Sequence, residues 1–269
     1  MLICILGEQT VTEYKKLNNQ PLKFVLAEFR FSPVMEIAKY IPVLQEALRK
    51  QYPMPEKKQE QVVQVQPNGI NMASLDRWSF MSANKKSAID INQERLIYAT
   101  AEYPRFEGFS EACKYAINTL IDIVDPTLIL RIGLRYSDLI KVDENEKISD
   151  LVDSHFTFPD SIQNLGQAKQ NTSETYLKTD IGGLAIRTLY GHHNLSCLPD
   201  AKGLPISIKI DDTPSERMIL DFDHSWEPTE EPVSFETDEI LQKLEALHKV
   251  SREAFWKLTT DDARNLKWA

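Results

Sequence analysis

Between residues 96 and 139 the chain reads LIYATAEYPRFEGFSEACKYAINTLIDIVDPTLILRIGLRYSDL, and few folds accommodate that run. Its pattern predicts a strand, a long amphipathic helix and a second strand of high β-propensity. Phe106, Phe109, Cys113, Ile117, Leu120 and Val124 recur at three- and four-residue spacing, which places them on one helical stripe. Asp125-Pro126 ends the helix, because proline lacks an N–H and disfavours helix in the residue before it.

The flanking chain is read against this unit. Residues 23–31 alternate, with Phe24, Leu26, Glu28 and Arg30 on one face of a strand and Val25, Ala27, Phe29 and Phe31 on the other. Ser32-Pro33 opens a helix with the stripe Val34, Ile37, Ile41, Leu44 and Leu48, and Pro42 predicts a restart near Ile41. Residues 52–58 form a connection. Strands follow at 60–66 and 76–82, with a turn at 67–69, and the meander continues through 88–91 and 95–103. The charged segment 141–153 is the best boundary. Beyond it come two strands across 174–195, broken at Gly182-Gly183, and a hairpin of 205–210 with 216–226. A helix over 235–258 and a short turn capped by Thr259 or Thr260 close the chain. The expected fold is α+β, with antiparallel meander sheets in two similar halves, each covered by a long amphipathic helix. Residues 1–20 are a lead-in, 21–147 the first half (β-α-β-β-β-α-β), and 148–269 the second, ending in a long helix.

Of the 269 residues, 42% are hydrophobic and 26% charged, which suits a folded chain. The net charge of −9 gives no general attraction to nucleic acid or to an anionic membrane. Cys4, Cys113 and Cys197 are odd in number and lack metal-ligand spacing, which indicates a reducing compartment. The opening MLICILG is too short to span a bilayer and lacks a basic flank. A cytoplasmic protein without membrane association is expected.

Several strings carry a resemblance: PLKFVLAEFRFSP at 21–33, RWSFMS at 77–82, YPRFEGF at 103–109, RIGLRY at 131–136 and LEALHKVSREAFWKLT at 244–259. In this order they resemble a sporadically distributed, uncharacterised family of bacterial and archaeal proteins. The resemblance runs from about Pro21 to the end of the chain. It implies a full-length α+β protein of a horizontally mobile kind and brings no established activity. Where the family has an Asn-like residue after RIGLRY, this chain has Ser137-Asp138.

No phosphate-binding loop, dinucleotide fingerprint, nucleophile elbow or paired CxxC is present, so no catalytic residue and no cofactor is assigned. The acids Asp211, Asp221 and Asp223 are the metal-ligating candidates: Asp221 and Asp223 share a strand face, and Asp211 lies in the preceding turn. Arg131 and Arg135 share a face of the RIGLRY strand, and with Arg30 and Arg187 they could grip a carboxylate or phosphate. Pairing with Glu28, Glu102 and neighbouring acids is the simpler fate. Arg30, Arg131, Arg135 and Tyr136 are the candidate ligand or partner contacts. His248, on the apolar stripe of the last helix, is read as a core histidine. The preferred function is a non-catalytic binding or regulatory protein with a protein partner and a capacity to self-associate. In the setting that the resemblance suggests, it would be an accessory or immunity-type component of a prokaryotic defence or toxin system. The alternatives are a metal-dependent phosphodiesterase or nuclease, and a nucleic-acid-binding module.

Overall fold

Ten strands, every pair antiparallel, join one sheet in the computed structural model, which describes residues 14–66, 69–194, 197–209 and 213–269. They are β1 (Leu22–Phe31), β2 (Met54–Gln66), β3 (Gly69–Met81), β4 (Ser87–Ile91), β5 (Arg95–Thr100), β6 (Leu128–Lys141), β7 (Gln170–Lys178), β8 (Gly183–His193), β9 (Ser215–Trp226) and β10 (Val233–Ser234). Their spatial order is β2-β3-β4-β5-β1-β6-β9-β8-β7, with β10 on the end of β6. The sheet crosses the expected boundary near residue 147 without a break, because β6 pairs with β9 from Ile132↔Trp226 to Lys141↔Arg217.

Alternation in β1 decides which face becomes the core. Val25, Ala27, Phe29 and Phe31 are buried under helices α1 (Ile41–Leu48), α2 (Arg105–Val124) and α4 (Thr237–Leu258). Helix α2 turns Phe109, Cys113, Ala116, Ile117, Leu120 and Val124 inward, and α4 turns in Ile240, Leu244, Leu247 and His248. The two long helices contact each other, and α4 lies on β6 and β9. Helix α3 is one turn, Ile148–Leu151, with both end residues buried.

Three local readings are corrected. The segment after Ser32-Pro33 makes only a 3-10 turn at Ile37–Lys39 before α1 starts at Ile41. Pro42 sits in the first turn, where its missing N–H breaks no helical bond. The connection expected at 52–58 is instead the start of β2, and Pro55 is tolerated because β2 is an edge strand. Residues 204–208 form no hairpin with β9. Leu204, Ile206 and Ile208 lie as irregular chain over Phe24 and Leu26, on the sheet face away from the helices, and Ser207 N–H donates to Lys85 C=O at 2.7 Å. The expected turn at Pro67-Asn68, the lead-in through residue 13 and Asp211-Asp212 lie outside the described residues.

Helix α2 ends where Asp125 enters the left-handed region, φ 54°, and its N–H caps the carbonyls of Leu120 and Ile121. Glycine has no Cβ to strain in that conformation. Asp125→Gly is therefore expected to raise stability by roughly 0.5–1 kcal/mol, read as a higher urea midpoint with an unchanged slope.

Candidate functional site

On the face away from the helices, alternation in four adjacent strands collects charge. β1 supplies Glu28 and Arg30, β6 Arg131 and Arg135, β9 Asp221 and Asp223, and β8 Arg187. Register brings them side by side: Glu28 opposes Gly133, Arg135 opposes Asp223, and Arg187 opposes Asp221. Gly133 permits the central contact. A Cβ there would stand 2.7 Å from Arg131 Nη1, so the guanidinium can fold over the glycine and donate to Glu28 Oε1 at 2.7 Å.

The arginines are matched by carboxylates. Arg135 Nε lies 3.0 Å from both oxygens of Asp221, and its two Nη atoms donate to Asp200 at 2.8 and 3.1 Å. Arg187 Nε donates to Glu174 at 2.8 Å, and its Nη1 stands 3.4 Å from Asp223 and 3.6 Å from Asp221. Further along, Arg77 donates to Asp90 at 2.7 Å, as does Ser79 Oγ. Asp221 is fully buried. Burial pushes its carboxyl up to about 6, with Arg135 pulling the other way. For Arg135, burial works against the charge, but Asp200 and Asp221 outweigh it and hold the guanidinium protonated. Between this network and the chain at 200–204 lies a cavity of about 360 Å³ bordered by Glu28, Arg77, Arg95, Arg131, Arg135 and Asp200.

The residues singled out in the sequence thus separate. Arg131 and Arg135 line this cavity, whereas Arg30 is half-exposed and donates to Glu28 at 2.9 Å. Tyr136 does not join them, because adjacent strand residues point to opposite faces and its ring lies on the helix side. Glu102 accepts from Asn84 at 3.3 Å. Asp221 and Asp223 do share a face, but guanidinium groups engage both, and Asp211 is outside the described residues. Among the described residues no three His, Cys, Asp or Glu side chains are grouped to hold a metal ion.

A second cavity, of about 240 Å³, opens on the helix side. There Tyr136 Oη and His248 Nδ1 share a hydrogen bond at 2.8 Å, Tyr103 Oη stands 3.4 Å from Tyr136 Oη, and the imidazole stacks on Phe106 at 4.0 Å. Burial drives the His248 pKa down to about 3, so the ring is neutral at physiological pH. The histidine expected in the core is there, with a tyrosine hydroxyl as its partner. Asp138 also lines this cavity at 4% exposure. Sequence reasoning passed over it, although its alternation with Leu134 and Tyr136 already placed an acid on the apolar face of β6. His224, one register step from Asp223, also points to this side, with Nδ1 at 3.1 Å from Leu247 C=O and Nε2 at 2.9 Å from Thr179 Oγ1.

A third feature is the β2–β3 arm. β3 pairs with β4 only from Trp78 to Met81, while β2 and β3 pair with each other from Met54↔Met81 to Gln66↔Gly69. At roughly 3.3 Å per residue, the stretch 69–77 carries the arm's tip about 30 Å past the last β4 pairing. At its base Lys57 meets Asp76 at 2.8 Å and stands over the Trp78 ring at 5.4 Å.

Among the described residues no helix is long and apolar enough to cross a membrane. No family model, no curated protein and no solved structure matches this chain.

Proposed function

We propose that this chain is a non-catalytic binding or regulatory protein that grips a protein partner through the β2–β3 arm. The arm carries the reading. A two-stranded ribbon is marginal by itself, and beyond Trp78 neither strand of this one has another neighbour among the described residues. Both edges offer unpaired backbone groups to a strand from another chain, the geometry of β-augmentation. A second copy of this chain could use the same edges, which keeps self-association within the proposal.

The phosphodiesterase reading asks Asp221 and Asp223 to give up their arginines to a cation, which would leave Arg135 and Arg187 facing that cation. The nucleic-acid reading asks Arg131 and Arg135 to leave their carboxylates for phosphates. Both exchanges are electrostatically uphill, so the binding role is preferred. Following the resemblance in its sequence strings, we assign the protein to an accessory or immunity-type role in a prokaryotic defence or toxin system. A cytoplasmic setting suits the buried, protonated thiol of Cys113. We also read the stretches 21–147 and 148–269 as similar units, since each runs a meander into a long helix, β2 to β5 into α2 and β7 to β9 into α4.

The test uses a shortened arm. Lys58 faces Arg77, so residues 59–76 can be replaced by Asn-Gly, which closes a two-residue hairpin. The tagged full chain, purified from its native host, is expected to carry a stoichiometric protein that the shortened chain loses while keeping its melting temperature. Equal retention by both chains would refute the arm. Metal-dependent cleavage of nucleic acid that disappears in Asp221→Ala would install the enzymatic reading instead.

A further inference from the structure

The helix-side cavity contains two polar groups that the fold leaves incomplete, and they are of opposite kinds. Among the described residues no hydrogen bond or ion pair reaches the carboxyl of Asp138, and the charge that acts on it is the like charge of Asp221. A buried carboxyl without a donor is costly to the fold. Arg252 is the counterpart: its guanidinium lies over the Tyr14 ring at 4.2 Å, and its buried Nε has no acceptor among the described residues. Both side chains border the same cavity, whose remaining walls include the rings of Tyr103, Phe106 and Trp256.

We propose that this cavity binds a small zwitterion of the amino-acid type, its ammonium meeting Asp138, its carboxylate meeting Arg252, and its apolar body lying against the aromatic walls. The charges around the cavity favour this class over a simple cation or anion. Lys15, Arg105 and Arg252 bring positive side chains to the lining and Glu107 and Asp138 acidic ones, so a ligand of either single sign meets repulsion as well as attraction. Size points the same way. At about 240 Å³ the space falls below the roughly 300–1,000 Å³ of pockets that take drug-sized ligands. The wall is also built under strain at one point: Arg105 holds a left-handed φ of 72° while its Nη2 donates to Leu17 C=O at 3.1 Å. This site lies on the opposite sheet face from the arginine network and does not depend on the arm.

The full chain is titrated calorimetrically with free leucine, phenylalanine, lysine and glutamate, and with adenosine monophosphate in parallel. Saturable binding of an apolar amino acid is expected, weakened at least tenfold by Asp138→Leu and by Arg252→Gln. The ligand-free Asp138→Leu protein is expected to melt higher than the parent, because it loses a buried carboxyl that no partner reaches among the described residues. A lower melting temperature for Asp138→Leu would mean that the acid serves the fold and would overturn the assignment. So would binding that survives both substitutions, binding of the nucleotide alone, or binding of none of the five.

Discussion

Replacing Arg135 by methionine is expected to destabilise the protein by about 3–5 kcal/mol, because it strands the fully buried carboxylate of Asp221 without its main partner. Asp200, the other carboxylate that Arg135 holds, is largely exposed and returns to water at little cost. Arg187 stands 3.6 Å from Asp221 but is already shared with Glu174 and Asp223. Two companion measurements identify the cause. In the double variant Arg135→Met with Asp221→Leu the buried charge is gone, and most of the loss should be recovered. In Arg135→Met alone the penalty should shrink between pH 7.5 and pH 5, since protonation relieves the stranded carboxylate. Urea denaturation reads all three proteins. A penalty that is unchanged by pH and by removal of Asp221 would mean that Arg135 contributes through packing of its stem, including its contact with the Phe24 ring at 5.9 Å.

The second large effect concerns acid. His248 has a folded pKa of about 3, lowered first by burial and then by Arg252 and Lys249, against an ordinary value of 6.5. The folded state therefore binds the proton later than the unfolded state. Its contribution is fully present above pH 6.5 and is lost as pH falls toward 3, by about 3 kcal/mol between pH 7 and pH 4. The groups facing the ring give no relief: Phe106 stacks on it, and the buried Tyr136 and partly buried Tyr103 are phenols whose pKa values burial has raised. Asp221 acts in the opposite sense. Its raised pKa of about 6 makes the folded state take the proton first, so its share of stability grows as pH falls from 6 toward 3.8. The comparison that isolates the histidine is between the parent and His248→Gln, each denatured in urea at pH 7 and pH 4. The parent should lose about 3 kcal/mol more than the variant over that interval. Parallel losses in the two would remove His248 from the account.

What could be read in the chain was what repeats over short distances. The period of two separated Val25, Ala27, Phe29 and Phe31 from Glu28 and Arg30 in β1, and Arg131 with Arg135 from Ile132, Leu134 and Tyr136 in β6. The three- and four-residue stripe of α2 placed Phe109, Cys113, Ile117 and Leu120 inward. What stayed hidden depended on partners far along the chain. Nothing local to RIGLRY shows that β9 is its neighbour, and so that Asp221 will sit under Arg135. The alternation of Ile206 and Ile208 looks like a strand, yet those residues pack as irregular chain over Phe24 and Leu26. The start of β2 was masked by prolines and charge, which an edge strand tolerates and an interior strand would not. Asp138 was visible as an acid among Leu134, Tyr136 and Ile140, but that no partner reaches it among the described residues is a property of three dimensions only.

The position of β1 has a consequence for how the chain comes to be folded. This strand is made before either of its neighbours, and it occupies the middle of the sheet: Val25 faces Thr100 of β5 on one side and Tyr136 of β6 on the other. Neither neighbour exists when β1 leaves the ribosome. Both edges of the strand stay open until β5 follows, and the edge that β6 will cover stays open until residues 128–141 are made. Pairings of such long sequence separation close slowly, because loop entropy must be overcome before the contacts form. Synthesis of β6 is therefore the step that ends the exposure, and a chain halted before residue 128 would be the form most prone to aggregate.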